Sequence, residues 1–210
     1  MMDRIIVGIS GASGVIYGIR MLQILQDLSD IETHLVITPG GKLNISLETD
    51  FDLKAIEQLA DVVHSNRNLG ATIASGSFKT KAMVIVPCSM RTLSGVVTSY
   101  ANNLTVRAAD VILKEKRQLI LVPRETPLHT GHCDLLYKAS LMGATLVPPN
   151  PAFYNHPESI DDVINHTVGR ILDLIGLDLI EFQIRFFKSW TPSPVLAETK
   201  QLKPLPPSPL

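Results

Sequence analysis

Three short segments of this sequence concentrate residues that hold anions. Gly11-Ala12-Ser13-Gly14 follows the apolar run Ile5-Ile6-Val7-Gly8-Ile9 and precedes a helical stripe. Glycine lets the backbone approach a phosphate, and the following helix offers unpaired N–H groups and a positive dipole end. Ser13 adds a hydroxyl that can donate to the anion or cap the helix. The glycines fall at 8, 11 and 14, so the spacing is not G-x-G-x-x-G, and strand two ends Val36-Ile37-Thr38-Pro39 without the acid a dinucleotide ribose needs. A mononucleotide phosphate fits better than NAD. The second segment, Pro87-Cys88-Ser89-Met90-Arg91-Thr92, gathers hydroxyls and a cation at the end of a buried strand. Cys88 has no base beside it in sequence and reads as a small packing residue. The third, Pro123-Arg124-Glu125-Thr126-Pro127-Leu128-His129, puts a cation and a carboxylate at another strand end, where they could hold an anion and move a proton. Elsewhere in a fold the same pair would read as a surface ion pair.

Other residues are weaker alone. Arg107, Asp110 and Lys114 share one helix face, as a solvated face with a modest ion pair or as a cationic wall for a second phosphate. Arg170 lies beside the apolar stripe of Val163, Ile171 and Leu174, where a cation either snorkels or meets an anion. Tyr154 places a phenol in the loop Pro151-Ala152-Phe153-Tyr154, and Glu48 closes a helical stretch. His129 and His132 are spaced like metal ligands, but no third ligand is evident, so no metal site is expected.

Apolar runs at 5–9, 34–38, 83–86, 119–122 and 144–147 read as strands, and helical patterns cover 15–28, 104–116, 133–142 and 160–175. Unbroken Ile/Val/Leu runs are the mark of strands buried on both faces. The alternation predicts one doubly wound α/β domain, Rossmann-like or flavodoxin-like, with a parallel sheet. Ligands of such sheets sit beyond the carboxyl ends of the strands, which is why the loops after the strands carry the argument. The domain is expected over 1–190. Residues 191–210 hold six of the fourteen prolines and are expected to be an extended or disordered tail.

Apolar residues make up 45% and charged residues 19% of the 210, with a net charge of −1, so the chain is not of disordered composition. The balanced charge and the 5% aromatic content exclude a nucleic-acid binder built on a basic, stacking surface. Any phosphate must be met by a few placed cations. Two cysteines suit a reducing compartment. With no signal-peptide pattern and no apolar run near the ~20 residues that span a bilayer, no membrane is expected and the location is expected to be cytoplasmic.

Together these segments resemble the UbiX-type flavin prenyltransferase family. The matching pieces are Ile6 to Gly14 with Tyr17-Gly18, Leu47-Glu48-Thr49-Asp50, Ser75-Gly76-Ser77-Phe78, Pro87-Cys88-Ser89-Met90, Arg107-Ala108-Ala109-Asp110 with Leu113-Lys114-Glu115, Val122-Pro123-Arg124-Glu125, and Pro151-Ala152-Phe153-Tyr154 with Asp161-Asp162-Val163. The resemblance covers about residues 4 to 176. Three departures stand out: Thr38-Pro39-Gly40-Gly41 where relatives often carry Ser-Lys, His132-Cys133-Asp134 where many read His-Leu-Glu, and Arg185 separated from Trp190.

The resemblance implies transfer, without metal, of a dimethylallyl group from dimethylallyl phosphate to N5 of reduced FMN. Ring closure at C6 then gives prenylated FMN for a UbiD-type decarboxylase, as in ubiquinone biosynthesis. It implies that Gly11, Ala12, Ser13, Thr38, Ser89, Met90, Arg91, Thr92 and Arg124 hold FMN. Tyr154 and Arg170 would bind dimethylallyl phosphate, Arg107 and Lys114 would complete its phosphate site, and Glu48 and Glu125 would be the acid/base and electrostatic carboxylates. It further implies a homo-oligomer, a dodecamer. Two alternatives stand beside it: a flavin-dependent decarboxylase of the cysteine decarboxylase type, and a non-catalytic flavin carrier subunit of a decarboxylase. The former group resembles Pro-x-Met-Asn-x-x-Met-Trp in its substrate loop, which this chain lacks. A carrier would need only the FMN loops.

Overall fold

A computed structural model describes residues 2–177. The proposed domain end at 190, the proline-rich tail, Arg185 and Trp190 lie outside the described residues. Six parallel strands form one sheet in the order β3-β2-β1-β4-β5-β6. They are β1 (Asp3–Ile9), β2 (Ile31–Ile37), β3 (Val62–Ser65), β4 (Ala82–Cys88), β5 (Gln118–Pro123) and β6 (Thr145–Leu146). The helices are α1 (Val15–Gln26), α2 (Pro39–Glu48), α3 (Leu53–Glu57), α4 (Met90–Val97), α5 (Leu104–Lys114), α6 (Thr130–Leu141) and α7 (Ile160–Leu174).

β1, β4 and β5 are buried almost end to end, and their side chains alternate between two cores. Ile5, Val7, Val84 and Val122 join α1 and α7 on one face, while Ile6, Met83, Ile85 and Leu121 join α4, α5 and α6 on the other. Burial on both faces selects the β-branched runs seen in the sequence. Strand order reverses between β1 and β4, which puts the topological switch point there.

Several expected boundaries move. The 83–86 strand continues through Pro87 to Cys88, with a cis Val86–Pro87 bond and a register shift between Ile85 and Cys88. β2 begins three residues earlier than expected and stops at Ile37, where Thr38 turns the chain into α2. α6 begins at Thr130, not 133, because His129 caps it by accepting from Gly131 N at 3.0 Å. No described helix is long and apolar enough to cross a membrane.

Candidate functional site

The loops after β1, β2 and β4 meet over the switch point. Ser10, fully buried, donates through Oγ to Pro87 O at 2.9 Å and accepts from Ser89 N at 2.8 Å. This one hydroxyl ties the end of β1 to the end of β4. Gly11 and Gly40 lie back to back: a Cβ on Gly11 would come 2.9 Å from Gly40 Cα, and a Cβ on Gly40 would come 3.0 Å from Gly11 Cα. The Thr38-Pro39-Gly40-Gly41 departure thereby acquires a physical reason. Thr38 is the N-cap of α2, its Oγ1 accepting from Gly41 N at 3.1 Å, and Pro39 takes the first helical position, where its fixed φ is favourable.

Ser89 caps α4 in the same way, accepting from Thr92 N at 3.3 Å and donating to Thr92 Oγ1 at 3.1 Å. The N-termini of α2 and α4 thus open on one cleft of about 930 Å³. Gly11, Thr38, Ser89, Met90, Arg91, Thr92 and Glu125 line it. Ala12, Ser13 and Arg124 are beside it in sequence but do not line it. Helix N-termini attract anions, and a volume in this range accommodates a cofactor of mononucleotide size.

Of the two uses open to Ser13, an anion donor or a helix cap, the cap is not made. Gly14 is the N-cap of α1 in a left-handed conformation (φ 97°), with no side chain to cap with. Glu48 does that work from the far end of α2, its Oε2 accepting from Gly14 N at 2.8 Å and Val15 N at 3.3 Å. A carboxylate at a helix N-terminus also complements the helix dipole.

The other expected residues form two further groups. Arg107 and Lys114 line a separate depression of about 510 Å³ with Ser75, Gly76, Ser77 and Glu115. On that helix face Arg107 pairs with Asp110 at 3.0 Å and Lys114 pairs with Glu115 at 3.3 Å, and both cations line the depression. Tyr154, 73% exposed, meets the His166 ring edge-on at 6.2 Å between centroids. Arg170 lies on the same face of α7, exposed, 3.9 Å from Asp173. Burial first, then Arg170, holds the His166 pKa below its usual value. Neither Tyr154 nor Arg170 lines the cleft.

Cys88 is fully buried and its pKa is pushed up to about 12 by that burial, which fits packing and not nucleophilic attack. The His129 and His132 rings lie tilted at 32° with centroids 3.7 Å apart, and no group of three metal-ligating residues occurs among the described residues. Sequence reasoning missed Ser10 as the switch-point tie, and it missed Asn66 and Arg67, which line the cleft from the end of β3. Asn66 Oδ1 accepts from Thr105 N and Oγ1 at 3.1 and 2.7 Å, fixing that edge to α5.

Comparison with known proteins places this arrangement. The Flavoprotein family model matches residues 2–172. Flavin prenyltransferase UbiX of Escherichia coli (strain K12) is 57% identical over 180 residues, covering 86% of this chain and 95% of that protein. The chain belongs to the UbiX flavin prenyltransferase family. A second UbiX, from Salmonella typhimurium, is 55% identical over 178 residues, covering 85% of this chain and 94% of that one. Among solved structures, AnUbiX (PadA1) in complex with FMN and dimethylallyl pyrophosphate superposes with a TM-score of 0.85 at 41% identity, covering 90% of this chain and 98% of that one. A dodecameric FMN-dependent UbiX-like decarboxylase from Escherichia coli O157:H7 gives 0.82 at 48% identity, covering 83% and 96%. The cysteine decarboxylase SpaF, at 12% identity and a TM-score of 0.57, shares the fold alone.

Proposed function

We propose that this chain is a flavin prenyltransferase that moves a dimethylallyl group from dimethylallyl phosphate to N5 of reduced FMN and closes a ring at C6. The prenylated FMN then serves a UbiD-type decarboxylase. The observation that carries this reading is that one chain holds two polar openings of different kinds. A flavin-sized cleft is lined by helix N-termini, and a separate Ser/Arg/Lys depression suits a small phosphate.

The cleft fits FMN on its own features. The Gly11–Gly40 contact leaves no room for a Cβ at either position, so the backbone can come close to a ligand. Gly11, Thr38 and Ser89 to Thr92 would hold the flavin and its phosphate, with Ala12, Ser13 and Arg124 at its margin. Reduced FMN, when bound, supplies the nucleophilic nitrogen and the carbon that accept the five-carbon unit. Arg107, Lys114 and Arg170 would neutralise the phosphate as the allylic C–O bond breaks and the phosphate leaves with the electron pair. A monophosphate leaves slowly without such charge, and fixed cations are the strongest single aid a site can offer. In this account they do so without a metal ion. Tyr154 would donate its phenol to the same phosphate. Glu48 and Glu125 would hold or take the proton released at ring closure.

Within one chain these groups lie in three places. Copies of the chain assembling as a homo-oligomer would bring them together. Phe153, Tyr154 and Leu47 are each more than 70% exposed beside proposed site residues, as expected of surfaces a neighbouring copy covers. The chain's domain would extend to residue 190. Anaerobic turnover tests the reading: one inorganic phosphate should be released per reduced FMN, with chelator present, and none with oxidised FMN. Phosphate release independent of flavin would overturn it.

A further inference from the structure

Arg117 has no part in the site described so far, yet it holds one wall of the phosphate depression. It follows α5 by way of a Schellman-type end: Lys116 takes the left-handed conformation (φ 54°), its N–H donates to Leu113 O at 3.0 Å, and Arg117 N donates to Ile112 O at 2.9 Å. That reversal carries the Arg117 side chain back toward the loop 75–78. Its guanidinium, only 16% exposed, donates from Nη2 to Gly76 O at 2.6 Å and from Nη1 to Phe78 O at 2.7 Å. It also stands 4.0 Å from Glu115 Oε2. The planar guanidinium holds its two N–H donors in a fixed fork that matches the two carbonyls, a geometry that an ammonium group on a flexible stem does not preset.

The loop it grips is held tightly on both sides. A Cβ on Gly76 would fall 2.2 Å from Glu115 Oε1 and 3.3 Å from Lys114 Nζ, so the loop backbone rests directly on those two side chains. On the other side the Phe78 ring packs edge-on against His34 at 5.0 Å and lies under the Arg4 guanidinium at 4.7 Å. Ser75 and Ser77 from this loop, with Arg107 and Lys114 from α5, line the depression. Glu115 lines it too, and a carboxylate there opposes an anion unless cations hold it.

We propose that Arg117 is a positioning residue for phosphate binding: it fixes the Ser75–Phe78 loop and engages Glu115, so that Ser75, Ser77, Arg107 and Lys114 are presented together to the phosphate of the allylic substrate. The inference rests on the reading that this depression takes that phosphate. Arg117 touches no substrate. It acts through the loop geometry and by sharing Glu115 with Lys114.

The test compares Arg117→Met, Arg117→Lys and Lys114→Ala in the full-length protein. Arg117→Met keeps the apolar stem and removes the fork. KM for dimethylallyl phosphate should rise about tenfold in Arg117→Met, with the Kd for FMN within twofold of the parent. Arg117→Lys restores charge beside Glu115 but not the rigid fork that holds both carbonyls, so its KM should fall between those of Arg117→Met and the parent. It also supplies the comparison if Arg117→Met does not fold. A raised KM in Lys114→Ala beside an unchanged KM in both Arg117 variants would overturn the role of Arg117. Parallel loss of FMN and dimethylallyl phosphate affinity would also overturn it, because that is what a general structural role produces. Unchanged KM in Lys114→Ala would instead show that the phosphate reading of the depression is wrong.

Discussion

Glu48 is asked to do two jobs, and substitution separates them. Its carboxylate spans from the last residue of α2 to the first N–H groups of α1, at 2.8 and 3.3 Å. Because Gly14 supplies no side chain, Glu48→Ala strips α1 of that cap. Losing an N-cap costs about 1 kcal/mol, and losing a carboxylate from the positive end of a helix costs roughly 0.3–1 kcal/mol more. Glu48 is solvent-exposed, which favours the lower ends of both ranges. The expected total is about 1 kcal/mol, or a Tm lower by roughly 2–4 °C for a chain of this size. Glu48→Gln keeps an acceptor and loses the charge, so its Tm should fall by about a third to a half as much. Activity should behave in the opposite way. A positioned acid or base contributes about 10²–10⁴-fold to rate, and Glu48→Gln abolishes proton transfer whatever it leaves of the cap. Thermal unfolding with single-turnover kinetics of both variants reads the two effects apart. An unchanged Tm in Glu48→Ala refutes the capping argument. Parent-like turnover in Glu48→Gln refutes the acid/base role.

Three further outcomes are expected. Gly41→Ala puts a Cβ 2.5 Å from Ile9 O and 3.1 Å from Ile37 Cγ2, so overpacking against strand backbone should cost about 1–3 kcal/mol, read by chemical denaturation. Arg170→Ala should weaken dimethylallyl phosphate binding and leave FMN binding largely intact; equal loss of both in titration calorimetry would mean the residue is misplaced. The third concerns His64, whose Nε2 lies 2.9 Å from His34 Nδ1, with the His34 ring also bonded to Glu32 and Glu32 paired with Arg4. Burial first, then His34, lowers the His64 pKa from its usual 6.5, so the folded chain keeps it neutral. That contribution to stability is complete above about pH 6.5 and is lost as the pH falls toward the lowered folded value. The hydrogen bond from His34, ahead of the Arg4 contacts, lowers the pKa of Glu32 from 4.5, adding a second loss below that pH. His64→Gln should flatten the upper part of the pH–stability curve, and an unchanged slope would contradict the assignment.

Legibility followed burial and range of contact. β1, β4 and β5 were readable because strands covered on both faces must be apolar at every position, and the strand-end rule then led from Ile9 to Gly11 and from the 83–86 run to Ser89. β3 escaped because it is a four-residue edge strand of alternating burial, and Asn66 and Arg67 escaped with it. α2 was obscured by Pro39-Gly40-Gly41, a turn signature that here starts a helix because Thr38 caps it and Pro39 sits at the first position. The Glu48 cap joins residues 34 apart, and the Arg117 clamp joins residues 39 and 41 apart, so no local pattern announces either. Arg107 and Lys114 were legible as a pair of cations, but not as lining a depression apart from the flavin cleft.

The central claim is that the five-carbon unit ends up on the flavin. The direct measurement is the mass of the flavin recovered after the protein is incubated anaerobically with reduced FMN and dimethylallyl phosphate. The account predicts a flavin heavier by one five-carbon unit, formed with chelator present. Recovery of unmodified FMN alone, from protein shown to have bound it in the reduced state, would contradict the account.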